Sequence, residues 1–208
     1  MTDTIIYPTK SGIVGYYDQT YLTARAGDNQ ELKVTPDTTI EFGEALYTPH
    51  YYLFEAFFSF DTSGVVGTVS AATFKLTVDG EWLASGLTLE VYATDWGDSL
   101  AYDDWVPGAD LSGMTLLASC ATGASPSGTL TFSSEAAFLA AINTGGYTRL
   151  VLVTSNLRTA TAPTGGELID FKGQDDATPA NRPQLVITHA ASGIAVPVAM
   201  HHYRTLRR

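Results

Sequence analysis

The chain has 208 residues, 45% hydrophobic and only 16% charged, with 19 Gly and 9 Pro; that size buries a core without a disulfide or a metal, and that composition excludes a largely disordered polymer. A net charge of −11 excludes general nucleic-acid binding, which needs a basic footprint. The single cysteine, Cys120, excludes an internal disulfide, and no stretch approaches the roughly 20 apolar residues of a membrane span.

Residues 1–12 read as an N-terminal arm. The opening Met1-Thr2-Asp3-Thr4-Ile5-Ile6 has neither a basic start nor a long apolar run, so no secretory signal is expected. An antiparallel β-sandwich of about ten strands is expected over 13–189. Strands are expected within 12–22 and 38–42, then in the apolar run Tyr51–Phe60. The clearest is 73–79, where Phe74, Leu76 and Val78 alternate with Thr73, Lys75, Thr77 and Asp79; a strict period of two marks a half-buried strand. Leu87–Thr94 repeats the pattern. The Asp79-Gly80 and Ser85-Gly86 pairs between them predict a hairpin or near-neighbour pair.

Further strands are expected at 115–118, 129–132, 149–154, 167–171 and 184–188. Leu150-Val151-Leu152-Val153 is apolar on both faces and belongs in the middle of a covered sheet. One helix is expected over about 133–143. Ser133 or Ser134 would cap it, Glu135 suits its positive end, and Phe138, Leu139 and Ile142 form its apolar stripe. Asn143-Thr144-Gly145-Gly146 ends it, leaving the helix to plug one end of the sandwich. The last segment, 190–208, holds three arginines and no acid, which is +3 and leaves −14 for the rest.

Three stretches, in order, resemble the DNRLRE-type jelly-roll family, which is related to carbohydrate-binding modules. They are Phe57-Phe58-Ser59-Phe60-Asp61-Thr62-Ser63-Gly64 followed by Val69–Leu76; the Trp-centred Val91–Ser99 ahead of Tyr102 and Pro107; and Asn181-Arg182-Pro183-Gln184-Leu185-Val186-Ile187-Thr188. The resemblance spans about residues 16–189 and implies an all-β jelly roll. It implies service as a sugar-binding module, a surface stalk or a structural protein of a bacteriophage virion. Lys172-Gly173-Gln174-Asp175-Asp176 departs from the family's Ser-x-Glu pattern, so no ligand role is carried to that loop.

No Gly-x-Ser-x-Gly elbow is present, and Cys120 has no nearby histidine in sequence, so the chain is expected not to be an enzyme. Carboxylate pairs such as Glu41 with Glu44 read first as turn and surface residues. No cofactor is expected; a structural Ca²⁺ is the one metal entertained, on Asp95, Asp98, Asp103 and Asp104, because hard cations take several loop oxygens. Trp82, Trp105 and Tyr102 are the candidate sugar-stacking rings, since they adjoin polar loop residues. The tail carries the candidate subunit interface: apolar Val196, Pro197, Val198 and Met200, then basic-aromatic His201, His202, Tyr203, Arg204, Leu206, Arg207 and Arg208.

These readings lead to a non-enzymatic virion protein, a capsid decoration or fibre-like subunit assembled in the host cytoplasm. It would be homo-oligomeric and docked to other capsid subunits by its tail, without nucleic-acid or membrane partners. The alternative is a module that binds a polysaccharide.

Overall fold

A computed structural model of the chain describes residues 1–28, 30–35, 39–83, 86–97, 99–133 and 135–190, with backbone alone for 30–35. Among the described residues there are twelve strands: β1 Thr2–Ile6, β2 Pro8–Asp18, β3 Gln30–Thr35, β4 Thr39–Tyr47, β5 His50–Asp61, β6 Val69–Leu83, β7 Thr88–Ala93, β8 Leu116–Ala121, β9 Thr129–Ser133, β10 Tyr147–Thr154, β11 Gly166–Lys172 and β12 Gln184–His189. Three short helices accompany them, α1 Tyr21–Ala26, α2 Ala136–Ala141 and α3 Ser155–Thr159. Every strand pairing is antiparallel. The fold is all-β.

The strands form one continuous sheet ordered β1-β12-β6-β11-β4-β5-β10-β7-β8, with β2 and β3 added beside β5 and β9 beside β6. Two long strands join the layers into this one sheet. β6 gives its first half to β12 and β9 and its second half to β11. β5 has β2 along one whole edge and shares its other edge between β4, opposite residues 50–54, and β10, opposite residues 56–61. The sheet therefore forks at Glu55 and curls into a half-barrel.

The curl encloses the main core, in which Phe74 is the hub. Its ring meets Phe58 at 5.0 Å, Phe132 at 5.5 Å and Phe60 at 5.9 Å between centroids, the separations at which tilted and edge-on aromatic pairs attract. A second apolar cluster lies on the opposite face of the large branch, the strands β11, β4, β5, β10, β7 and β8 with β2 and β3 beside β5. Along β10 the side chains divide as the pleat requires: Leu150 and Leu152 enter the main core, Val151 and Val153 the second. The strand is central and buried on both faces, as its apolar run predicts. What covers the second face is a layer made of α1, α3 and the segment 94–114 with its two short 3₁₀ turns.

Several expectations need correction. The Asp79-Gly80 pair makes no turn. β6 runs through it to Leu83, and β11 skips a residue there, pairing Asp170 with Gly80 but Phe171 with Val78. Asp79 is the extra residue of a β-bulge, the feature that lets one strand bend from one layer to the other. β6 and β7 consequently do not pair; β7 lies between β10 and β8. Residues 1–12, expected as an N-terminal arm, hold β1, which pairs with β12 and places Thr2 opposite His189, and the start of β2 at Pro8. The strand expected over 12–22 ends at Asp18, and Tyr21 and Leu22 open α1 instead. Two helices besides the expected one are present. That one, α2, is shorter than 133–143: Ser133 ends β9, Ser134 is outside the described residues, and the N-cap position falls to Glu135, which makes no side-chain cap bond. Its packing against β6 and β8 through Phe138 supports the helix instead.

Candidate functional site

Two polar groupings are held by the large branch: a row of buried acids under the covering layer, and an open pocket at the start of β10. The acids are Glu44, Glu55, Glu90 and Glu167, all buried. Cross-strand register brings Glu167 directly opposite Glu44, with Leu53 on Glu44's other side. The close approach of β4 and β11 depends on Gly43, whose φ of +118° suits glycine and whose added Cβ would fall against the Glu167 carbonyl oxygen.

Glu44 accepts hydrogen bonds from Thr154 Oγ1 and from Tyr21 Oη at 2.9 Å. Burial pushes its carboxyl up to about 7, with the Glu167 charge adding to the effect and the two hydroxyl bonds opposing it. Tyr21 is raised by its own burial and by Glu44. Glu55, at the fork, accepts the Val106 N–H at 2.9 Å on Oε2, while Oε1 has no hydrogen-bond partner; burial raises it well above the carboxylate range. Glu90 is the paired member. Arg158 grips it with Nε at 2.8 Å and Nη2 at 2.6 Å, and Tyr92 Oη donates to it at 2.7 Å. These carboxylates tie the covering layer to the sheet.

The segment 94–114 completes that layer. Trp96 packs edge-on to Phe57, and Trp105 edge-on to Tyr16. Trp105 Nε1 donates to the Arg25 carbonyl at 3.3 Å, and the Arg25 side chain donates to the carbonyls of Leu157 and Arg158. Gly27, at φ +75° after α1, lets the indole approach, since a Cβ there would meet Trp105 Cδ1 at 2.6 Å. Trp105 is only 6% exposed. It is a pillar of this layer, which corrects its reading as an exposed sugar platform. Tyr102 is half-buried, its carbonyl held by Tyr16 Oη and its ring edge-on to Tyr16. Trp82 stands alone of the three as an exposed ring, at 58%.

The aspartates considered for a structural Ca²⁺ are not gathered around one point. Asp95 pairs with Arg149, Asp104 accepts the Ala101 N–H at 2.7 Å to cap a 3₁₀ turn, Asp103 is exposed, and Asp98 lies outside the described residues. Asp176 likewise caps a turn through the Thr178 N–H at 2.8 Å. Among the described residues no three His, Cys, Asp or Glu converge as metal ligands do. The whole candidate interface, Val196, Pro197, Val198, Met200, His201, His202, Tyr203, Arg204, Leu206, Arg207 and Arg208, lies outside the described residues.

The open pocket has a volume of about 310 Å³ and is lined by Ala93, Thr94 and Asp95 from the end of β7, Ala141 and Asn143 from the end of α2, and Tyr147 and Arg149 from β10. Arg149 lies over the Tyr147 ring, its Cζ 5.4 Å from the centroid, and pairs with Asp95 at the rim. The 143–147 turn is fixed from beneath. Thr62 Oγ1 lies within hydrogen-bond distance of the carbonyls of Asn143 (2.6 Å) and Gly146 (2.9 Å) and of Thr148 Oγ1 (2.9 Å), which in turn accepts the Asn143 N–H at 3.0 Å. Sequence reasoning missed this pocket. Its one signal was a tyrosine and an arginine set two apart at the head of an otherwise apolar strand, and hence on one face. A second ring cluster was also missed, Tyr17 stacked on Tyr52 at 5.4 Å with Tyr47 and His50 edge-on around Tyr52.

No family model matches the chain, and no curated protein matches it. Among the described residues no helix is long and apolar enough to cross a membrane.

Proposed function

We propose that the chain is a non-enzymatic structural protein of a virion, a capsid-decoration or fibre-like subunit whose jelly-roll body is presented outward while residues 190–208 dock on neighbouring copies. The observation that carries this reading is the outer edge of β1. Among the described residues that strand pairs only with β12, and its opposite edge is open. Met1 just before the strand, Ile5 on it, Tyr7 just after it and Val66 beside its start are large apolar residues left exposed. An unpaired strand edge with apolar side chains is a ready template for another chain.

The apolar-basic segment follows β12, the next strand inward from this edge, and its first residue bonds on the β6 side. His189, opposite Thr2, holds Thr4 Oγ1 at 2.9 Å through Nε2 and Val66 O at 2.8 Å through Nδ1, and the Ala190 N–H donates to Thr68 O at 3.0 Å. The tail's +3 meets a body of −14, a complementarity that favours association between copies. The DNRLRE-type resemblance supplies the step from an assembling jelly roll to a virion component.

Deletion of residues 193–208 tests the proposal in particles assembled with the shortened chain. Incorporation is expected to fall at least tenfold, and undiminished incorporation would overturn it.

A further inference from the structure

We infer that the open edge of β1 receives residues 194–200 of a second copy of this chain as an added antiparallel strand. The inference rests on the assembly reading above and names the surface and the segment that meet.

β1 is built to receive a strand. Among the described residues it pairs only with β12, in unbroken register from Thr2 to Ile6, so its outer backbone groups face no other strand. The usual guards of an edge are missing from it: Thr2-Asp3-Thr4-Ile5-Ile6 contains no lysine, no proline and no bulge. Its side chains divide as the pleat requires. Ile6 packs against the main core and Thr4 is half-buried against His189, while Asp3 and Ile5 point to the other face. There Ile5 is 53% exposed, in line with the exposed Met1 and Tyr7 on either side of the strand.

The segment 194–200 has the matching pattern. Ile194, Val196, Val198 and Met200 alternate with Ala195, Pro197 and Ala199, a period of two that puts every large side chain on one face of an extended strand. With Val196 opposite Ile5, Val198 falls opposite Asp3 and Met200 opposite Met1. The large side chains then cover the exposed apolar row, and the segment lines the five residues of β1 from end to end. Pro197 is accommodated with its nitrogen turned away from β1, because the added strand is itself the new edge. Main-chain bonds give such a pairing its affinity, and alternate side chains give it its register.

The donor is a second copy. The outer edge of β1 is two strand spacings from β12, roughly 9–10 Å. Residues 191–193 of the same chain would have to cross that distance around Met1 and reverse direction as well. They would start from Ala190, whose N–H is bonded to Thr68 on the β6 side, away from β1. A tail returning to its own edge would also run parallel to β1, the less stable arrangement. Two β1 edges suit each other poorly, since they would bring together bodies of −14 each; the tail brings +3 to the contact.

The test is cross-linking between full-length chains in a Cys120→Ser background, with a short bismaleimide. A mixture of Ile5→Cys and Val196→Cys chains is expected to give the mixed covalent dimer at least tenfold above a mixture of Leu22→Cys and Val196→Cys chains. Leu22 is a fair control because it is exposed to a similar degree, at 60%, and lies on α1 in the covering layer. A mixed product no greater than that control overturns the inference. So do Ile5→Cys chains that link to one another as readily, which means that two β1 edges meet, and a chain carrying both cysteines that links only within itself. Incorporation into particles is read separately. A chain that needs residues 193–208 for incorporation but yields no product between positions 5 and 196 overturns this pairing and leaves the assembly reading standing; the product together with undiminished incorporation supports the pairing and overturns that reading.

Discussion

Replacing Glu44 by Gln is expected to make the protein more stable at neutral and alkaline pH. The carboxyl titrates near 4.5 in an unfolded chain and at about 7 in the folded one, because it is buried beside Glu167. A folded value above the unfolded one means that the native state holds the proton more tightly. The associated stability is fully present below pH 4.5 and is lost as pH rises through about 7. At about 1.4 kcal/mol per pH unit, the gap between 4.5 and about 7 corresponds to roughly 3 kcal/mol. A Gln side chain keeps the shape: its oxygen accepts from Thr154, and Tyr21 Oη can turn to the Asn156 carbonyl, which lies 3.2 Å away. Glu55 contributes a slope of the same sign in both proteins, so the informative quantity is the difference between them. Urea unfolding followed by tryptophan fluorescence measures it, since Trp96 and Trp105 are both buried in the layer above these acids. The gain from Glu44→Gln is expected to grow by about 3 kcal/mol between about pH 4.5 and 8. Two pH–stability curves that stay parallel over that range would refute the buried-acid reasoning.

Two further substitutions probe the covering layer. Trp105→Ala is expected to destabilise the fold by about 3–5 kcal/mol in the same urea assay, because the indole is a packed pillar. A Trp105→Ala protein as stable as the wild type would contradict the pillar reading. Arg158→Ala strands the buried Glu90 carboxylate and is expected to lose roughly 2–3 kcal/mol, below the usual range for a broken buried pair because about a third of the Arg158 side chain meets water. Adding Glu90→Gln is expected to recover most of that loss; a double variant no better than the single one would contradict the pairing argument.

The strands were legible because their physics is local. Phe74, Leu76 and Val78 alternate in sequence and all face the core or its margin, and Leu150–Val153 is apolar on both sides because two clusters meet there. The path of β6 was not legible. Asp-Gly reads as a turn from its neighbours alone, and only the pairing with β11 makes it a bulge. The covering layer hid itself for a similar reason. Trp96, Tyr102 and Trp105 sit in a polar loop that looks exposed, and the face they cover is marked only by scattered residues of strands distant in sequence. The buried glutamates interrupt apolar strands singly, so each resembles a solvated position until register places Glu44 beside Glu167. The pocket joins β7, α2 and β10, three segments that no spacing rule connects.

The most direct test of the assembly claim is the molar mass in solution of the full chain and of a chain ending at residue 192, by light scattering after size exclusion. The account predicts a multiple of 22.2 kDa for the full chain and a monomer for the shortened one. A full chain that elutes as a monomer, or a shortened chain that assembles equally well, would contradict it.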